Sequence, residues 1–390
     1  MKGANGAGIF NELPLVKKIR GKHLERWLPA YLRARGRRLL APLANRGTPV
    51  AGPRHLVFAF CDHYEPRWKS PGAAVADARV ETWRRGYPAL CQDFRDADGH
   101  APRHSFFFPT EEYDGRHLDV LADLARQGLG EVEVHIHHDG DTAASLKAKL
   151  EEGLGRFASH GHLSRTQDKV RYAFIHGNWC LANARADGRW CGVDNELEVL
   201  FETGCYADYT FPAAPDESQA AIVNQIYWPV GDLSRRRAFD RGEEAKVGRW
   251  HDDRLLIVEG PLALTLRSVR RPLPRIENAN VTAHDPPTPW RLRSWVNQNI
   301  HVAGRPEWVF VKVHTHGAQE AQAGCLLGPP GRALHEELAR TYNDGVHWKL
   351  HYVTAREMYN IAMAAMQGQA GDPGLFRDLI MPPPPAAGAV

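Results

Sequence analysis

From residue 55 onward short apolar runs alternate with longer amphipathic stretches, and this order restricts the chain to an α/β fold with a parallel sheet. HLVFAF (55–60) is followed by a helical stretch in which Val80, Trp83, Tyr87, Leu90 and Phe94 recur every three or four residues. HSFFF (104–108) precedes a helix around Leu118, Leu121 and Leu124, VEVHIH (132–137) precedes one from Thr142, and RYAFIH (171–176) comes next. A helix over 194–203 stops at Gly204 and leads into CYADYTF (205–211). Strands at 254–260, 307–314 and 349–353 follow, and an amphipathic helix from Ala355 closes the pattern. Such an order suits a distorted (β/α) barrel of about seven parallel strands, with an N-terminal helical extension and loop insertions, better than an open sheet.

Residues 213–250 and 262–290 are rich in Pro, Arg and Asp without clear periodicity and read as loops or insertions. The ending MPPPPAAGAV reads as a disordered tail. The expected division is therefore a basic helical segment over 1–50, a barrel over 51–367 and a C-terminal extension over 368–390.

A net charge of +3, from 49 Lys and Arg against 46 Asp and Glu, gives no reason to expect nucleic acid as a partner. The basic excess sits in residues 17–38, where nine Lys or Arg face the single acid Glu25. Leu24, Trp27, Leu28, Tyr31 and Leu32 recur there at helical spacing, broken by Pro29. Two readings stand: a helix packed on the barrel, or a surface helix making a peripheral membrane contact. Six scattered cysteines without a C-x-x-C pair read as reduced, packed thiols. With no run of 18 apolar residues and no secretory leader, the expected location is cytoplasmic, peripheral to the inner membrane on the second reading.

The polar residues suited to hydrolysis collect at the C-terminal ends of expected strands, where a barrel gathers its active-site loops. The first strand runs into Cys61-Asp62-His63-Tyr64-Glu65, two carboxylates and an imidazole after an apolar run. The third runs through Glu133-Val134-His135-Ile136-His137-His138-Asp139-Gly140-Asp141. His135 and His137, two apart on a strand, point to one side; with Asp62 or Asp141 nearby they form the donor set of an open divalent site, zinc foremost. His138 points the other way, toward a supporting or surface role. His314 and His316 repeat the i, i+2 spacing, and one of them can serve as a general acid near neutrality, further ligands being the alternative. Asn178 and Trp179, after another strand, resemble a sugar-binding rim, although packing accounts for a tryptophan equally well. Asp208, Tyr209, Thr210 and Lys312 are further inward-facing candidates for orienting substrate.

On these motifs the chain resembles the polysaccharide deacetylase family, over about 55–365, in a branch found in bacterial surface-polysaccharide contexts. The family's first motif is a strand ending in two aspartates, a base and then a metal ligand. Cys61-Asp62 stands in that place, which implies Asp62 as ligand and a cysteine where the base belongs, leaving Glu65 or Asp141 to take the proton. The second motif implies His137 and Asp141 as ligands, with His135 as an addition. The late motif places the acid at His314, or at His316. The resemblance implies a divalent metal and removal of an acetyl group from an N-acetylated sugar. Three rivals remain: a glycoside hydrolase, against which the histidine density argues; a catalytically inactive sugar-binding protein; and a metal-dependent phosphoesterase, for which a phosphate-cradling glycine loop is missing.

Overall fold

The computed structural model describes residues 20–44, 52–267, 270 and 272–388. Eight parallel strands form the centre of one mixed sheet: β1 (Arg54–His63), β2 (His104–Pro109), β3 (Gly130–Ile136), β4 (Lys169–His176), β5 (Cys205–Asp208), β6 (Leu256–Val258), β7 (Trp308–Thr315) and β8 (Trp348–Tyr352). Their order is β7-β1-β2-β3-β4-β5-β6. One edge of β1 pairs with β7, while the other takes β8 along Arg54–Phe58 and β2 along Phe60–His63. The sheet therefore forks at β1.

Nine helices accompany the strands among the described residues: α1 (Leu24–Ala44), α2 (Ala73–Cys91), α3 (Gly115–Arg126), α4 (Ala143–Ser159), α5 (Glu196–Thr203), α6 (Pro289–Val296), α7 (Glu320–Leu327), α8 (Pro329–Tyr342) and α9 (Ala355–Met366). Thr142 and Thr354 start α4 and α9 with reciprocal caps, each side chain accepting a backbone N–H three residues on. Gly204 ends α5 at φ 112, a left-handed turn in which a side chain would strike the Val170 carbonyl.

Both faces of the sheet are buried. One face carries Leu56, Phe58, Phe60, Phe106, Phe108, Val132, Val134 and Ile136, packed against Val80, Trp83, Leu118, Leu121, Leu146 and Leu150 of α2 to α4. The opposite face carries Val57, Ala59, Cys61, Phe107, Ala173 and Ile175, and α9 lies on that side. All of α9 is buried, as its small and apolar residues allow, and Arg356 ties it to β3 through a buried ion pair with Glu131 (2.7 Å).

Several expectations change. The strand expected over 205–211 ends at Asp208, whose carboxylate takes both the backbone N–H (3.1 Å) and the hydroxyl (2.7 Å) of Thr210 and turns the chain. The stretches read as loops hold the antiparallel segments Ile226–Pro229 and Gly242–Glu244 beside β6 and the hairpin Ala263–Leu266 with Pro274–Glu277, and the second of them runs into the start of α6. The tail is not free either: Ser164 donates to the Pro382 carbonyl (2.7 Å), Ala386 N–H donates to Gly161 (2.8 Å), and Ala386 packs on Ala122 and Ala125. In α1, Trp27 and Tyr31 are buried against Ala214, Val223, Leu262 and Ala263, so that aromatic face is turned on the body of the protein. Residues 17–19 of the basic segment lie outside the described residues. Among the described residues no helix is long and apolar enough to cross a membrane.

Candidate metal centre

Successive strand residues face opposite sides, so parity decides what each strand-end residue can reach. On β1 the odd residues Val57, Ala59 and Cys61 share the α9 face, and His63 continues their row. His135 ends the corresponding row on β3, and His314 on β7. Three imidazoles from three strands thus converge at the C-terminal end of the sheet, with Glu65 two residues beyond His63.

His63 lies 4.8 Å from His135, 4.7 Å from His316, 6.3 Å from His314 and 5.1 Å from Trp179, measured between ring centres. Glu65 Oε1 is 3.2 Å from His135 Nε2 and 3.4 Å from His137 Nε2. Donor atoms of His63, Glu65 and His135 all fall within 4.8 Å of one another, and all three residues are buried. At the rim, Glu111 Oε1 accepts from both the backbone N–H (2.9 Å) and Nδ1 (2.7 Å) of half-buried His137. Trp179, in a left-handed conformation at φ 55, sets its ring 5.7 Å from that of His316.

His135 Nδ1 lies 3.1 Å from the carbonyl of Ile175, which can only accept, so Nδ1 carries the ring proton. Burial, the largest influence, lowers the His135 pKa while the Glu65 contact raises it; in the neutral ring with its proton on Nδ1, Nε2 turns a lone pair on a Glu65 oxygen. In that state the two lone pairs repel, and a cation bound between them would turn the repulsion into a shared contact, while His137 Nε2 meets the same Glu65 oxygen from the rim at 3.4 Å. His63 and His314 are also driven well below the ordinary imidazole range by burial, then by His316 for His63 and by Lys312 for His314. Each leaves a buried Nδ1 without a hydrogen-bond partner. Neutral imidazoles with orphaned nitrogens beside a carboxylate fit a divalent ion of the zinc type.

For Glu65, burial alone would raise the pKa, but the His135 and His137 rings outweigh it and hold the carboxyl well below its usual range. His137 behaves differently from its neighbours. Burial opposes its charge, yet Glu111 and Glu65 prevail and push it up to about 10, so it stands at the rim as an imidazolium.

Of the residues expected from sequence, Glu65, His135, His137, His314, His316 and Trp179 come together here. Two expected ligands do not. Asp62 lies on the opposite face of β1, where it accepts the Gly317 N–H (2.6 Å) and contacts His104 Nε2 (2.9 Å). Gly317 is required there, because a Cβ would come 2.1 Å from Asp62 Oδ2. Asp141 is engaged by Lys149 (2.7 Å) and Ser145 (2.7 Å), away from the cluster. His137 stands at the rim beside the three closely grouped donors, its Nε2 3.4 Å from Glu65. Cys61, in the place of the expected base, is buried one step below His63, and burial pushes its thiol up to about 12, so it stays protonated. Asn178 donates its backbone N–H to His176 Nδ1 (3.1 Å). Lys312 donates to the carbonyls of Tyr209 and Phe211 beneath the site.

Sequence reasoning passed over His63 as a ligand and Glu111 altogether. Glu111 follows β2 directly in Pro109-Thr110-Glu111, so the rule that strand ends carry the chemistry would have found it.

The fold and cluster define a predominantly parallel α/β protein with a histidine and carboxylate centre at its strand ends. A crystal structure of a Mycobacterium smegmatis protein, provisionally described as a polysaccharide deacetylase, is similar at a TM-score of 0.44 and 12% identity, over 83% of this chain and 94% of that one. A likeness that loose transfers neither a function nor a site. No protein-family model and no curated protein matches the chain.

Proposed function

We propose that this chain is a metal-dependent hydrolase that removes an acetyl group from an N-acetylated sugar, built on a distorted (β/α) barrel. The observation that carries the reading is His135 Nε2 set 3.2 Å from a Glu65 oxygen in a buried site while its Nδ1 meets the Ile175 carbonyl. His63, Glu65 and His135 would hold the ion. A divalent ion there would polarise an acyl carbonyl and supply hydroxide at neutral pH. Barrel closure is supported by Gly260, just after β6, where a Cβ would lie 2.5 Å from the Lys312 carbonyl of β7.

The side chains around the centre divide the remaining work. His137, fixed as an imidazolium by Glu111, offers a charged donor to a substrate oxygen at the rim. His316, half-buried between His63 and Trp179, would give a proton to a leaving nitrogen. The Trp179 ring offers a flat apolar face on which a sugar can stack. The acetyl specificity rests on the motif resemblance.

The test is elemental analysis of the purified chain together with acetate release from N-acetylglucosamine oligomers, with and without a chelator. Bound metal and acetate release that is lost on chelation and restored by zinc are expected. A metal-free chain unable to take up zinc would undo the site, and metal without acetate release would undo the deacetylase reading.

A further inference from the structure

The opposite face of β3 leads to a second set of donors. His138 follows β3, His176 ends β4, Cys191 lies in the connection from β4 to α5, and Glu196 opens α5. One donor atom from each falls within 4.8 Å of the others, and all four residues are buried. His138 Nε2 is 3.1 Å and His176 Nε2 3.8 Å from Glu196 Oε1; Cys191 Sγ is 3.3 Å from Glu196 Oε2.

Three features set this cluster apart from ordinary packing. Glu196 is wholly buried with no lysine or arginine against it among the described residues, and its carboxylate is held only by the Ala182 N–H (2.6 Å), the Cys191 thiol and the neighbouring imidazoles. Burial and then Glu196 push the Cys191 thiol up while no cation is bound, and the backbone N–H groups of Asn183 (3.3 Å) and Val193 (3.4 Å) turned on its sulfur work against them. His138 Nδ1 lies 3.3 Å from Asp141 Oδ2, a carboxylate that can hold its ring proton and leave Nε2 turned on Glu196.

We propose that His138, Cys191 and Glu196 bind a second, zinc-type ion. One thiolate and one carboxylate neutralise a divalent charge, so the buried centre carries none in sum, and the thiol proton leaves to solvent as the ion enters. A sulfur, nitrogen and oxygen donor set suits zinc. His176 acts as a positioning residue. The N–H groups of Asn178 (3.1 Å) and Cys180 (3.4 Å) are turned on its Nδ1, so its own proton sits on Nε2 and is directed at the Glu196 carboxylate. Such an ion would pin the 177–195 connection, which carries Trp179 into the first site, against β3 and α5.

Cobalt(II) loading of the full chain tests this, because only the second site contains a thiolate ligand. The expected result is two equivalents of cobalt and a near-ultraviolet thiolate-to-cobalt charge-transfer band. Cys191→Ser should lose one equivalent and the band, while His135→Ala should lose the other equivalent and keep the band. One equivalent with the band would support the second site and remove the first. A wild-type spectrum without the band overturns the proposal whether or not the variants fold, and so does a folded Cys191→Ser that keeps it.

Discussion

Strand β3 and the residues just after it turn imidazoles to opposite sides of the sheet, and the two sets differ in what surrounds them. His135 faces a cluster that opens to a rim of half-buried groups, His137, His316 and Trp179, whereas His138 faces a cluster closed off by α5 and the 177–195 connection. In the first, neutral histidines have orphaned nitrogens and a neighbouring imidazolium stands ready at the mouth. In the second, backbone N–H groups already surround the sulfur and the carboxylate. The same residue types thus acquire a reactive setting where strand ends meet solvent, and a structural setting where a loop covers them.

The two clusters should differ most at His135. His135→Ala should lower acetate release by at least about 1,000-fold, about 4 kcal/mol in barrier, with the unfolding midpoint little moved. A variant that loses fold and activity together would make the first cluster structural as well.

A histidine outside both clusters supplies the reference for protonation. His162 is wholly buried, donates to or accepts from no charged group, and contacts the Leu118 carbonyl at 2.9 Å; burial brings its pKa down to about 4. Because the folded value lies below the unfolded one near 6.5, the unfolded chain takes up a proton first as pH falls. Stability should therefore decline between pH 6.5 and 4, by about 3 kcal/mol from this residue. Denaturant titrations should show a flatter decline over that interval in His162→Gln, and an unchanged slope would refute the assignment.

On the closed side, Cys191→Ser should cost about 2 to 3 kcal/mol, read as a drop of roughly 5 °C or more in thermal midpoint. Zinc should raise the midpoint of the wild-type chain more than that of the variant. The smallest effect is expected at Asp62, where Asp62→Asn weakens a buried acceptor of the Gly317 N–H and should cost about 1 to 2 kcal/mol. Its metal content should equal that of the wild type; loss of an equivalent would return Asp62 to the centre.

The choice between Asp62 and His63 shows why part of the site stayed hidden. Both lie at the end of the same strand, one residue apart, and that single step moves a side chain to the other face. An amphipathic strand would have revealed its parity through alternating polar residues. Here VFAFC is apolar on both faces because helices cover both sides, so parity left no mark. The same burial hid the roles of Glu196 and Cys191, and the packing of the proline-rich tail depends on partners more than 200 residues away.

By itself the sequence determined the alternation of strands and helices, the parallel sheet, and the concentration of histidines and carboxylates at strand ends, because each follows from local spacing and periodicity. Only the tertiary structure decided which of those residues meet. Glu65 reaches His135 across 70 positions and His138 reaches Glu196 across 58, and both depend on strand register and on which face of a doubly buried sheet each side chain takes.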